Sequence, residues 1–329
     1  MGTTESRANR YAVVIGDANL DITGTPDVAM RSRMPHPGSI RTKPGGCARN
    51  VAENLARLGC DTRLVSVFGD DADGRELMAV TLLTGVDLSP SRIITATPTA
   101  NCLLVYDGDG EIFCTVGDVS IVSQITPERL QEHSALLQDA ALIVVNTVLP
   151  AATLAYLCEH YGDRPLFVDT IDALLADRIR PWLARVHTLK PNRAEASQLS
   201  GLPFGSREDA APVAAWFHRA GVAHVVLSLG EYGLYYSNGA DAGWMTPPQV
   251  TIANTTGAGD ALMAGLAYGW LQGLPFVETT RFALGCAALT LTCDDNTHPA
   301  LSAQAVGRLL QEGAPPSART DVRLDAARP

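Results

Sequence analysis

Short apolar runs alternate with amphipathic stretches along most of the chain. Tyr11-Ala-Val-Val-Ile15 is apolar throughout and stops at Gly16, which predicts a buried strand. Ala48, Val51, Ala52, Leu55 and Leu58 recur at helical spacing, and Gly59 closes that helix. A strand over 62–68 and a helix over 71–83 are expected next. From residue 142 the rhythm is regular, with strands predicted at 142–146, 166–169, 186–189, 225–228 and 234–237. The intervening helices are predicted at 151–160, 192–200, 206–219, 259–272, 276–293 and 302–311. Strands alternating with helices imply an α/β fold, a mostly parallel central sheet flanked by helices in three layers. Two β-rich pieces, roughly 17–44 and 95–120, interrupt the pattern. In the second, alternating residues flank Asp107-Gly-Asp-Gly110, a hairpin turn signal. Both pieces are expected to form a small sheet beside the main body. Residues 313–329, rich in Pro, Ala and Arg, read as a loose tail.

Composition narrows the chemistry. The 329 residues carry a net charge of −10, which argues against nucleic acid as a partner, since binding it needs clustered cations. Only two lysines occur, Lys43 and Lys190, each followed by proline. Neither can complete a Gly-Lys-Ser/Thr phosphate loop or the strand lysine of a protein kinase. Phosphate binding would therefore fall to backbone amides, helix ends and arginine. The seven cysteines are odd in number and lack C-x-x-C spacing, so neither a disulfide framework nor a structural zinc site is expected. No apolar run approaches the roughly 18 residues needed to span a bilayer, and Met1 to Arg10 lacks the apolar core of a signal peptide. A cytoplasmic location is expected.

Five segments can carry chemistry. In Asn254-Thr-Thr-Gly-Ala-Gly-Asp-Ala-Leu-Met-Ala-Gly265, two glycines precede a long helix with Asp260 in its first turn. Exposed amides and the positive end of the helix dipole favour an anion there. Like charge bars Asp260 from holding phosphate, but it could accept a proton from an attacking hydroxyl; equally, it could simply favour the helix start. In Lys190-Pro-Asn-Arg-Ala-Glu195, Asn192 and Glu195 have capping-box spacing. At a strand's C-terminal end the same pair could hold water-bound Mg²⁺. Pro44-Gly-Gly-Cys-Ala-Arg-Asn50 places Gly45 and Gly46 for close backbone approach and Asn50 one turn into the first helix. In Gly16-Asp-Ala-Asn-Leu-Asp21, Asn19 and Asp21 share a side if the chain is extended, which suits vicinal sugar hydroxyls. Ser228-Leu-Gly-Glu-Tyr-Gly233 is a glycine turn at a strand end.

Together these segments resemble the ribokinase-like (PfkB) carbohydrate and nucleoside kinases. Gly45 to Gly59 is similar to that family's first signature and Thr255 to Gly265 to its second, and the resemblance runs over residues 11–311. Within the family the likeness is greatest to the bacterial pseudouridine kinases, carried by 186–195, 207–209 with 214–218, 226–230 with 235–237, and 281–283 with 285–286. The resemblance implies a kinase domain over 11–311 with a small β-sheet lid. Asp260 would be the general base, and the amides of Gly257, Ala258 and Gly259 an anion hole. Asn192 and Glu195 would organise Mg²⁺, Glu195 through water. Asn19, Asp21, Gly45, Gly46 and Asn50 would contact the sugar. Ser228, Gly230, Gly233 and Thr256 would bind ATP. Asn254 stands where many ribokinases have aspartate beside a monovalent-cation site, which leaves K⁺ dependence open. Cys47 stands where sugar-specific members often have lysine, which favours a neutral acceptor. The implied reaction is ATP-dependent phosphorylation of the 5′-hydroxyl of pseudouridine, by a homodimer paired through the lid. Other acceptors (ribose, a sugar acid, a purine nucleoside) and a catalytically silent nucleoside sensor are the alternatives. A dinucleotide-dependent oxidoreductase is disfavoured, because G-x-G-x-x-G is missing after the first strand.

Overall fold

The structure, a computed structural model, describes residues 10–31, 33–107 and 112–312. The hairpin tip at 108–110 and the tail at 313–329 lie outside the described residues. Fourteen strands occur among those described: β1 Tyr11–Ile15, β2 Asn19–Pro26, β3 Gly38–Gly45, β4 Asp61–Val65, β5 Val67–Gly69, β6 Arg92–Ile94, β7 Asn101–Tyr106 and β8 Ile112–Asp118 in the first part. In the second come β9 Leu142–Asn146, β10 Leu166–Asp169, β11 Thr188–Lys190, β12 His224–Ser228, β13 Leu234–Ser237 and β14 Ala242–Met245.

Eight of these form the central sheet in the order β14-β13-β12-β11-β10-β9-β1-β4. Pairing is parallel from β4 to β12 and antiparallel at β13 and β14. Strand alternation divides the apolar residues between two cores. Val13, Ile15, Ile143, Val145 and Val168 enter the core on one face, and Ala12, Val14, Leu142, Val144 and Phe167 the core on the other. Covered on both sides, these strands read as continuous apolar runs. The helices Cys47–Arg57, Ala258–Leu271 and Phe276–Thr290 contribute to the second core.

The small sheet has the order β3-β2-β7-β8, with β2 and β7 parallel. Its strands come from the two β-rich segments predicted. In register, Asp21 stands opposite Lys43 on one side and Cys102 on the other.

Several predicted elements need correction. The strand expected over 62–68 breaks at Ser66. There the serine hydroxyl donates to Gly16 O at 2.7 Å, while its amide donates to Ser91 Oγ at 3.0 Å. β4 stays beside β1, whereas β5 leaves to pair with β6. The helix expected over 276–293 stops at Thr290, and Leu291 O accepts the amide of Ala253 at 2.8 Å. The helix expected over 206–219 opens as a 3₁₀ turn, Arg207–Asp209, before the α-helix Ala210–Arg219. The strand expected over 186–189 is shorter and starts two residues later, as β11. β14, a short edge strand, had no periodic signal. All seven cysteines are free thiols, and among the described residues no helix is long and apolar enough to cross a membrane.

Candidate active site

The parallel strands all end along one edge of the sheet, where α/β folds present ligand-binding groups. Asp17 follows β1, Asn146 ends β9, Asp169 ends β10, Lys190 ends β11 and Ser228 ends β12. The N-termini of the helices Cys47–Arg57, Ala258–Leu271 and Arg193–Ser200 lie at this edge.

The first belongs to the Cys47–Arg57 helix. Its N-cap, Gly46, has no side chain to offer, and Asp17 supplies the acceptor from 30 residues away: Oδ2 takes the amide of Cys47 at 3.1 Å and Oδ1 that of Ala48 at 3.2 Å. Asp17 is buried and also accepts from Asn146 Nδ2 at 2.6 Å. This remote cap orients the helix that carries Arg49 and Asn50. Arg49 is buried and donates to Gly45 O, Glu53 Oε2 and Asn50 Oδ1 at 2.9, 2.6 and 2.5 Å. Asn50 Nδ2 is thereby turned toward Asp260 Oδ2, 2.7 Å away across 210 residues of sequence.

The second N-terminus, that of Ala258–Leu271, has Gly257 as a left-handed N-cap and no capping side chain. Ala258 is half-buried and Gly259 exposed. The turn therefore offers amides to a ligand, as an anion site requires. Only glycine fits at position 257: φ is 82°, and a Cβ would stand 1.8 Å from Asn296 O. Thr256 N donates to Asn254 Oδ1 at 3.0 Å, which holds the approach to the turn.

Asp260 is buried in the first turn of this helix. Burial, aided by the nearby Asp169 carboxylate, pushes its pKa up to about 7, against the opposing pull of Asn50 and Lys190. A carboxylate so placed exchanges a proton near neutral pH. Lys190 is buried too, its Nζ 3.0 Å from Asp169 Oδ1 and 3.5 Å from where a Cβ on Gly259 would sit. Burial disfavours its charge, but Asp169 and Glu195 outweigh that and raise its pKa. A permanent cation thus lies against the glycine turn.

Asn192 and Glu195 form a full capping box. Glu195 Oε2 accepts the amide of Asn192 at 2.8 Å and the hydroxyl of Thr170, and Oε1 accepts Asn192 Nδ2 at 2.6 Å. Glu195 is buried, which raises its pKa. With both oxygens held by protein donors, Glu195 suits an ion bound through water rather than directly. Asn192 bridges to Ser228, so the 192–195 box and the 228–233 turn adjoin. Gly230 and Gly233 bound the 3₁₀ turn 230–232.

On the small-sheet side, Asn19 is buried and donates to Asp21 Oδ1 at 2.7 Å. Asp21 Oδ2 accepts from Asn296 at 2.6 Å, and a Cβ on Gly45 would stand 2.6 Å from the Asp21 carboxyl. Each carboxylate oxygen keeps a lone pair for a hydroxyl.

The structure thus gathers Asn19, Asp21, Gly45, Gly46 and Asn50 with Asp260 and the 257–259 turn. Lys190, which touches Asp169, joins the 192–195 box to that centre. Residues not singled out from sequence are Asp17, Arg49, Asp169 and Asn296. Asp17 lies inside the Gly16–Asp21 segment and Arg49 inside Pro44–Asn50. Asp169 closes an apolar strand, a position that could have flagged it. Asn296 lies in an aperiodic polar stretch with no signal.

The pfkB carbohydrate kinase family matches residues 9–303. The chain belongs to this family. It is a phosphotransferase with the ribokinase-like fold. Pseudouridine kinase of Escherichia coli K12 is 40% identical over 306 residues, covering 93% of this chain and 98% of that protein. The uncharacterised sugar kinase YeiI of the same organism is 34% identical, covering 89% of this chain and 81% of its own. Arabidopsis thaliana ribokinase, solved with ribose and ATP, superposes with a TM-score of 0.81 at 24% identity, covering 92% of this chain and 99% of that one. This last likeness concerns the fold.

Proposed function

We propose that this pfkB kinase transfers the γ-phosphoryl group of ATP to the 5′-hydroxyl of pseudouridine. The observation that carries the chemistry is Asp260, a buried carboxylate with a pKa near 7 at the mouth of an uncapped helix N-terminus. The acceptor follows from the 40% identity to a pseudouridine kinase across nearly the whole of both chains.

In this reading Asn19 and Asp21 hold the ribosyl hydroxyls, and the small sheet excludes water that would compete as acceptor. Asn50 holds the Asp260 carboxylate in place. Asp260 takes the 5′-hydroxyl proton as the oxygen attacks phosphorus; the bond to the β,γ-bridging oxygen breaks, and its electron pair leaves with ADP. The amides of Gly257, Ala258 and Gly259 and the Lys190 ammonium stabilise charge on the phosphoryl oxygens. Mg²⁺ accompanying the nucleotide would neutralise its phosphates, and the chemistry of Asn192 and Glu195 fits a water-mediated ion. Ser228, Gly230, Gly233 and Thr256 line the nucleotide side.

We also propose a cytoplasmic homodimer paired through the small sheet. Ile40, Phe113 and Val116 stand exposed there, and Val116 lies opposite Leu103. Light scattering at micromolar concentration should give twice the chain mass, and Val116→Asp should reduce it to that of one chain.

The function is tested by initial rates with ATP on pseudouridine, uridine, ribose and adenosine. Pseudouridine should be preferred; comparable rates on ribose would end the assignment. Asp260→Asn should lower kcat by at least about 10²-fold with ATP binding intact. Near-normal turnover would remove Asp260 from its role.

A further inference from the structure

Asn296 and Thr297 sit in the loop after the Phe276–Thr290 helix, both buried, and touch both halves of the site. Asn296 Nδ2 donates to Asp21 Oδ2 at 2.6 Å and to Pro44 O at 3.0 Å, so it grips both β2 and the end of β3. Its own carbonyl oxygen packs so closely on Gly257 that no Cβ fits between them. Thr297 Oγ1 donates to Glu53 Oε1 at 2.8 Å. Glu53 holds Arg49, and Arg49 holds Gly45 O and Asn50. Two adjacent residues therefore contact the acceptor carboxylate, the β3–helix junction and the glycine that shapes the anion turn. The same loop binds the small sheet once more, through the Lys43 ammonium on Asp294 O, and Asn254 Nδ2 donates to that same oxygen at 3.0 Å.

We propose that Asn296 and Thr297 are positioning residues that couple acceptor binding at Asp21 to nucleotide binding at the Gly257 turn. A hydroxyl bound by Asp21 fixes the carboxylate, the carboxylate fixes the Asn296 amide, and the Asn296 carbonyl fixes the turn that receives phosphate. Coupling between two sites is reciprocal, so each substrate should tighten the other by one common factor. The inference rests on the acceptor and nucleotide sides assigned above.

The test is calorimetric titration of the full chain with pseudouridine, ribose and a non-hydrolysable ATP analogue. Each acceptor is titrated with and without saturating analogue, and the analogue with and without acceptor. In the wild type the two directions should agree, on a factor of about five or more. Asn296→Ala should bring the factor within twofold of one while the analogue alone keeps its affinity. Thr297→Val, close to threonine in shape and leaving Asn296 intact, should reduce the factor partway. Melting curves confirm that each variant is folded, and Thr297→Val carries the test if Asn296→Ala is not. A wild-type factor of one, or an undiminished factor in the folded variants, overturns the coupling. Binding of ribose without pseudouridine, with coupling that depends on Asn296, overturns the pseudouridine assignment and sustains the coupling. Binding of neither acceptor overturns both.

Discussion

Replacing Asp260 by asparagine should stabilise the fold while disabling it, and the gain should depend on pH. The Asp260 carboxyl moves from its ordinary 3.8 to about 7 on folding, chiefly because it is buried. Each pKa unit corresponds to about 1.4 kcal/mol, so roughly three units put about 4 kcal/mol of strain on the ionised fold. The direction follows from linkage. Between pH 4 and 7 the unfolded chain has lost this proton and the folded chain retains it, so stability falls as pH rises through that window. Above pH 7 the full cost applies; below pH 4 it vanishes. Asparagine keeps an acceptor oxygen for Asn50 Nδ2 but carries no charge. Unfolding entropy of about 2.1 cal/mol/K per residue over 329 residues makes 4 kcal/mol worth up to about 6 °C. Differential scanning calorimetry should therefore show Asp260→Asn melting several degrees above wild type at pH 8, with the gap less than half as large at pH 5 and gone below pH 4. A gap that does not change with pH, or a variant less stable at pH 8, would refute the reasoning.

Three further changes probe the frame around this group. Gly257→Ala forces a Cβ into Asn296 O at a φ of 82°; a loss of several kcal/mol by urea titration, or at least a tenfold loss of ATP affinity, is expected, and neither occurring would count against the close approach. Ile171 is β-branched yet sits at φ 56° beside Asp169 and Thr170; relieving strain of about 1–3 kcal/mol against about 1 kcal/mol for glycine entropy, Ile171→Gly should gain about 1 kcal/mol, and a loss would contradict it. Arg49→Met strands part of a buried pair, although Arg57 still contacts Glu53; about 3 kcal/mol of destabilisation is expected, and a change under 1 kcal/mol in the urea midpoint would show that Arg57 suffices.

Much of this frame is legible in the sequence because its periods are simple. β1, β9, β10 and β13 are buried runs whose ends coincide with a turn residue or a polar side chain. The spacing of Asn192 and Glu195 fits both a helix cap and an ion site; the structure shows the cap, with the same buried carboxylate within the electrostatic reach of Lys190. What escaped the pattern depends on tertiary contact. The break at Ser66 is made by Gly16 and Ser91, neither near in sequence. Asp17 looks like a loop residue until it caps a helix 30 positions later. Asn296 follows two aspartates in a stretch with no period, and its meaning lies wholly in Asp21, Pro44 and Gly257.

The bond from Asn50 to Asp260 has a consequence for how the chain acquires activity. Its two ends are separated by most of the molecule, and Asp17, Asp169, Lys190 and Asn296 complete the centre from four other places. No contiguous fragment holds all of these residues, so a nascent chain still missing its last fifty described residues has the sheet and Gly257 but lacks Asn296, against which the Gly257 turn packs. Closing a loop of such length is among the slow events of folding. Turnover should therefore return last on dilution from denaturant, after secondary structure has recovered, which makes kinase activity a reporter of the finished chain.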